Sequence, residues 1–193
     1  MPNCPINLSS FDPSCDALQS VAGLRDVFYF CRRADITALT ISTLTANKGT
    51  ITALDTVALY KFQGRKFQNS GKTDLAKSET GKTRYKQTFV ARVYYDTQPE
   101  RNTIEQLGFV EDLVIIAPTN SGKIEVYGAS LGLAPTTASG GTGTKLEDDN
   151  TFLFTFEGDE PKLPALFNTV TTATTPEADY LTNIEYLDEL VSA

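Results

Sequence analysis

Residues 84–95, Arg-Tyr-Lys-Gln-Thr-Phe-Val-Ala-Arg-Val-Tyr-Tyr, alternate so regularly that they require one long β-strand. Tyr85, Phe89, Ala91, Val93 and Tyr95 fall on one face, and Arg84, Lys86, Thr88 and Arg92 on the other. A strand with one apolar and one basic face belongs to an antiparallel sheet that covers a core on one side only. Partners of similar character are present. Val27-Phe28-Tyr29-Phe30-Cys31 reads as a buried strand, and residues 36–41 and 51–54 follow it around a turn at Asn47-Lys48-Gly49. Residues 110–117 and 123–127 form a hairpin across Pro118-Thr119-Asn120-Ser121-Gly122. Phe152, Phe154 and Phe156 alternate in a closing core strand.

The strand-favouring bias extends to composition, with 11 Phe and 8 Tyr, no Trp and abundant Thr. A chain of 193 residues suits a single β domain with an arm. The expectation is a mainly β fold over residues 1–167. It carries one short flanking helix and an acidic C-terminal amphipathic arm over 168–193. Thr97-Gln98-Pro99-Glu100 has the form of a capping box and predicts the start of that helix. Ile104 and Leu107 give it an apolar stripe, and Gly108 is placed to end it in a left-handed conformation. Residues 64–83 and 134–144 are expected as loops, the first long and basic, the second rich in Thr and Gly. In the arm, Tyr180, Leu181, Ile184, Leu187 and Val191 stand at helical spacing. Two placements are open for it, on the chain's own sheet or on a neighbouring copy.

The sequence contains no histidine. Ser-His-Asp and Cys-His nucleophilic systems, His-ligated metals and imidazole proton transfer are thereby excluded. Cys4, Cys15 and Cys31 lack the paired spacing of a zinc site or a disulfide framework and read as reduced thiols made in a cytoplasm. Gly71-Lys72-Thr73 and Gly81-Lys82-Thr83 each match the end of a phosphate-binding loop, but the glycine needed five residues earlier is replaced by Lys66 and Ala76. They are read as turns in the basic loop. Glu147-Asp148-Asp149-Asn150 lacks the ligand spacing and central glycine of a calcium loop. Lys145 and Asp149 have no nucleophile or oxyanion motif nearby. No catalytic residue, cofactor or metal is expected. The apolar runs at 27–31 and 113–117 are too short to span a bilayer, and the amino terminus has no basic and apolar regions of a secretory signal, so no membrane partner is expected.

Charge is segregated beneath the net value of −7. Residues 61–101 hold ten Lys/Arg against four Asp/Glu, whereas after Leu146 eleven Asp/Glu meet only Lys162. Opposite patches of this kind attract between repeated copies and fix their orientation, which favours head-to-tail stacking. The candidate inter-subunit contacts are therefore Lys72, Lys77, Lys82, Arg84 and Lys86 in the basic segment and Tyr180, Leu181, Ile184 and Leu187 in the arm. Phosphate binding by the same lysines is the rival reading, weakened by the acidity of the whole chain.

Three stretches carry a resemblance. Cys15-Asp16 ahead of Gly23-Leu24-Arg25-Asp26-Val27-Phe28-Tyr29-Phe30 resembles the start of tail tube proteins from phages and prophages of the Bacteroidota. Ile124-Glu125-Val126-Tyr127-Gly128-Ala129-Ser130-Leu131-Gly132-Leu133 is similar to their later strands. So are Gly143-Thr144, Asp148-Asp149-Asn150 and Leu153-Phe154-Thr155-Phe156-Glu157-Gly158-Asp159-Glu160. The resemblance spans residues 15–167. It implies a fold of two packed antiparallel sheets, a tail-tube-like sandwich or barrel with a flanking helix, and a siphophage-like major tail tube subunit: a homo-oligomer of stacked hexameric rings in the virion tail, made in the host cytoplasm. The same resemblance implies contact with other phage tail or connector proteins, transient passage of DNA, and no catalytic residues. The arm after Phe167 departs from that pattern and keeps a head-tail connector or terminator, or a capsid decoration protein, as alternatives. An adhesion or carbohydrate-binding β domain is a further one.

Overall fold

The computed structural model describes residues 22–43, 49–64, 67–77, 82–141, 151–169 and 176–191. β1 (Val27–Arg32) leads through a 3-10 turn at Arg33–Asp35 into β2 (Ile36–Ile41) and β3 (Ile51–Thr56). β4 (Tyr60–Gln63), β5 (Ser70–Lys77) and β6 (Thr83–Tyr94) come next, then α1 (Gln98–Leu107), β7 (Leu113–Pro118) and β8 (Ile124–Tyr127). The described chain finishes with β9 (Ala134–Gly141), β10 (Thr151–Glu160), β11 (Ala165–Leu166) and α2 (Pro176–Leu190).

The fold is mainly β, with antiparallel pairing inside every sheet. A central sheet has the order β11-β8-β7-β1-β4, a second has β5-β6-β10-β9, and β2 pairs with β3 alone. The first two sheets form the expected sandwich. Phe28 and Phe30 of β1 and Ile115 of β7 meet Phe89 and Ala91 of β6 and Phe156 of β10 in one core. Phe30 and Phe156 pack edge to face with centroids 5.3 Å apart, an arrangement worth about 0.5–1.5 kcal/mol beyond its area burial.

A third layer, which the sequence did not announce, covers the back of the central sheet. Tyr29, Cys31, Val114 and Ile116 point that way and pack with Ile51 and Leu54 of the β2–β3 hairpin and Tyr180 and Leu187 of α2. The central sheet is thus buried on both faces. This explains why Val27-Phe28-Tyr29-Phe30-Cys31 and the wholly buried β7 read as continuous apolar runs while β6 alternates.

Two buried polar side chains pin the turn after β8. Gln87, on the inner face of β6, donates to the Lys162 carbonyl at 3.0 Å and accepts from the Gly128 amide at 2.9 Å. Glu160 accepts from the amides of Ser130, Leu131 and Gly132 at 3.2, 2.8 and 3.1 Å. These bonds supply the compensation that burying an amide and a carboxylate requires. Gly128 and Gly132 hold φ of +71° and +89°, so the turn needs glycine at both places.

Several expectations require correction. Residues 134–141 are not loop but edge strand β9, whose small side chains suit it: a Cβ on Gly140 would lie 2.3 Å from the Phe152 ring. Within 64–83, residues 70–77 form β5, paired with β6 from Ser70↔Val90 to Lys77↔Thr83. The capping box at α1 forms, with Thr97 Oγ1 accepting from the Glu100 amide and Glu100 accepting from the Thr97 amide at 2.7 Å. Gly108, by contrast, is right-handed at φ −64°, because the Phe109 amide closes back on Gln106 in a tightened last turn. The strand expected from residue 110 begins at Leu113. Asp112 there accepts from the Ala34 amide and Arg32, which fixes the bend before the strand. Asn47-Lys48, Gly81, residues 142–150, Cys4 and Cys15 lie outside the described residues.

Candidate functional site

Among the described residues the second sheet packs its core on one face, and its other face carries most of the basic candidates. Cross-strand register places Lys72 beside Thr88 and Glu157 in one row, and Asp74 beside Lys86 and Asp159 in the next. Lys72 lies 2.6 Å from Asp74, and Lys86 3.0 Å from Glu157. Exposed pairs like these contribute about 0–1 kcal/mol each, but they give Lys72 and Lys86 acidic partners inside the chain. The basic face is therefore a mosaic of both signs. Lys77, Lys82 and Arg84 are exposed at the far end of the β5–β6 hairpin. β10 pairs with β6 only as far as Glu160↔Tyr85, so the rows Ala76↔Arg84 and Lys77↔Thr83 project beyond it.

β5 and β9 flank this sheet, each paired on one side and exposed along almost its whole length. Unpaired edges of this kind are templates for pairing with another chain unless something covers them.

The four arm candidates separate. Tyr180 and Leu187 are sealed in the chain's own back core, Ile184 packs against it, and Leu181 is 56% exposed. The docking in cis is specified by polar contacts. Tyr29 donates to Asp188 at 2.8 Å, and Lys61 donates to both oxygens of the same carboxylate at 2.7 and 2.9 Å. Burial pushes the Asp188 carboxyl up, but the bonds from Lys61 and Tyr29 outweigh it and hold the group below the usual carboxylate range. Burial first, then the Asp188 hydrogen bond, push the Tyr29 phenol up. Tyr186 donates to the Leu54 carbonyl at 2.9 Å, and Asn183 Oδ1 accepts from both the amide and the hydroxyl of Thr169 at 2.8 Å. The Arg25 guanidinium lies 4.2 Å from the centre of the Tyr180 ring.

A groove of about 640 Å³ runs between β4 and α1. All four residues of β4 line it, with Tyr94 and Ile104 opposite. Tyr60 and Tyr94 are 52% and 44% exposed there. The sequence reading missed this groove because its only signal is the four-residue alternation Tyr-Lys-Phe-Gln, too short to stand out as a strand.

Gly71 and Cys31, the chemical candidates within the described residues, have structural explanations. Gly71 sits in β5, where a Cβ would lie 2.1 Å from the Tyr127 hydroxyl, so the glycine makes room for a ring. The Cys31 thiol is buried and its pKa is pushed up to about 12, chiefly by burial, which makes it a poor nucleophile. Among the described residues no group of three or more Cys, Asp or Glu is placed to hold a metal ion. None of their helices is long and apolar enough to cross a membrane. No protein-family model, curated protein or solved structure matches the chain.

Proposed function

We propose that this chain is a non-enzymatic, self-assembling structural subunit, specifically the major tail tube protein of a siphophage-like virion, closing as hexameric rings that stack into a conduit for DNA. The observation that carries the reading is the second sheet, which among the described residues has an exposed outer face and no further strand on either edge. Edge pairing of β9 on one copy with β5 on the next would remove both edges at once, and a ring is the closed form of such a heterologous contact. The projecting tip with Lys77, Lys82 and Arg84 provides a reach from one ring to the next, toward a chain whose net charge is −7. The mosaic of charge on the open face suits a lumen along which DNA slides without sticking.

Negative-stain microscopy of the purified full chain tests this. Rings of six and stacked tubes are expected, and monodisperse monomer at high concentration in light scattering overturns it. Rings that never stack move the assignment to a connector or terminator. Binding to a preformed capsid without polymerisation moves it to a decoration protein.

The groove with Tyr60 and Tyr94 favours a second reading, a carbohydrate-binding β domain, since exposed aromatic rings in a concave site are what a sugar face stacks on. Saturable binding to a glycan array, lost in Tyr60→Ala, would establish it.

A further inference from the structure

The two flanks of the sandwich are unlike. On one, α1 lies between β4 and β9, and its Ile104 lines both the groove beside β4 and a second pocket of about 520 Å³ beside β9. On the other, β5 sits over β8, with Gly71 against the Tyr127 ring, and Leu75 of β5 is 59% exposed.

The pocket beside β9 has an aromatic floor and a polar rim. Tyr95, Phe152 and Phe154 form the floor, where Tyr95 and Phe152 meet edge to face with centroids 5.7 Å apart. Gln98, Arg101 and Glu105 of α1 form the rim. The space exists because β9 brings only small side chains to this face. Gly140 stands opposite Phe152 and Ala138 opposite Phe154, so both share the core-facing side of the sheet, yet both are exposed.

The opposite edge of the same sheet carries a matching knob. Gly71 pairs with Phe89 and Leu75 with Tyr85, so Leu75 has the core-facing parity of Gly71. Direction fits as well. Pairing is antiparallel at every step from β5 through β6 and β10 to β9, so β5 and β9 run opposite ways. Rotation about an axis along the strands preserves both direction and facing. The β5 of a neighbouring copy therefore meets β9 antiparallel, with Leu75 on the side of the pocket.

Charge selects the register. Leu75 opposite Ala138 places Lys77 opposite Thr136, toward the start of β9. α1 begins next to Tyr95 and ends at Leu107, which lines a cavity with Leu113, the bridge partner of Leu133 just ahead of β9. Its Glu105 end thus lies where this register sends Lys77.

We propose that the pocket between α1 and β9 receives Leu75 of a second copy, with that copy's Lys77 against Glu105, and that this contact fixes the register of β5 on β9. The inference rests on the self-assembling reading above.

Disulfide trapping in the full chain tests it. One chain carries Leu75→Cys and Ala138→Cys together with Cys4→Ser and Cys15→Ser, while the buried Cys31 stays. Within a copy, three strand spacings of about 4.8 Å separate β5 from β9, too far for a disulfide, so a bond from 75 to 138 joins different copies. Oxidation should give a ladder of covalent oligomers, lost when either cysteine substitution is made alone. Leu75→Asp should abolish rings in negative-stain microscopy without moving the urea midpoint of the monomer, and Leu75→Met should retain them. Parent rings without the ladder, or rings that persist in Leu75→Asp, overturn the pocket assignment alone. A parent chain that stays monomeric overturns both ideas.

Discussion

Gly71 illustrates how a residue can imitate a chemical motif for packing reasons. It precedes a Lys-Thr pair, yet its smallness is used by Tyr127 across the sandwich. Gly71→Ala should cost about 1–3 kcal/mol, as overpacking does, read as a lowered urea midpoint at unchanged slope. A stability equal to the parent would mean that Tyr127 does not fill that space. The Asp188 cluster makes a pH prediction of definite sign. The carboxyl ordinarily titrates at 3.8 and is lowered in the fold, so its stabilisation is present above about pH 4 and lost as pH falls through the folded value. Asp188→Asn should cost about 0.5–1 kcal/mol at pH 7, a modest figure because the side chain is 40% exposed, and the gap should narrow at about pH 3. An equal gap at both values would rule out ionisation as its source. Tyr29 and Tyr127 work at the other end of the scale. Both phenols are raised from an ordinary value of 10.0, so the stability they contribute is complete below that pH and declines as pH rises above it. Alkaline unfolding curves of Tyr29→Phe should be flatter than those of the parent above pH 10.

Among the elements, legibility followed periodicity. β6 and β10 were readable because one face of each meets a core and the other meets solvent, which writes alternation into the sequence. The cap of α1 was readable because it is local, made within four residues. β5 and β9 were invisible because an exposed edge strand has no apolar face to declare itself, and Lys72, Gly140 and Thr137 look like loop residues until their cross-strand partners are known. The third layer was equally hidden. A continuous apolar run at β1 says that both faces are covered, but not by what. The candidate surfaces were half legible: sequence found the basic segment and the arm, while the pairing of Lys72 with Asp74 and the sealing of Tyr180 and Leu187 required the fold. For α2, Asn183→Ala would leave the Thr169 amide and hydroxyl without their acceptor and should cost about 1–3 kcal/mol in a urea titration. A loss below about 0.5 kcal/mol would show that Asn183 does not anchor the helix to the connector.

At the scale of the whole molecule, the reading of this chain as a repeating subunit can be separated into ring closure and stacking. Reversing the charge of Lys77, Lys82 and Arg84 together, each to Glu, should abolish stacked tubes while leaving rings intact. If tubes persist, the hairpin tip does not join one ring to the next. Stacking by such exposed charges should also weaken as salt rises from about 0.05 to 1 M, where the screening length falls to about 3 Å.

The central sheet, covered on both sides, has a consequence in time as well as in space. Its middle pairing joins Tyr29 to Ile116, positions far apart along the chain, and neither β1 nor β7 has a face that water tolerates. Long loops must close before those two strands meet, so folding is expected to be slow relative to helical proteins of this size. Until they meet, two of the most apolar segments remain in solvent beside bare strand edges. Refolding yield should therefore fall steeply with protein concentration, and a chaperone that shields β1 until β7 is in place should restore it.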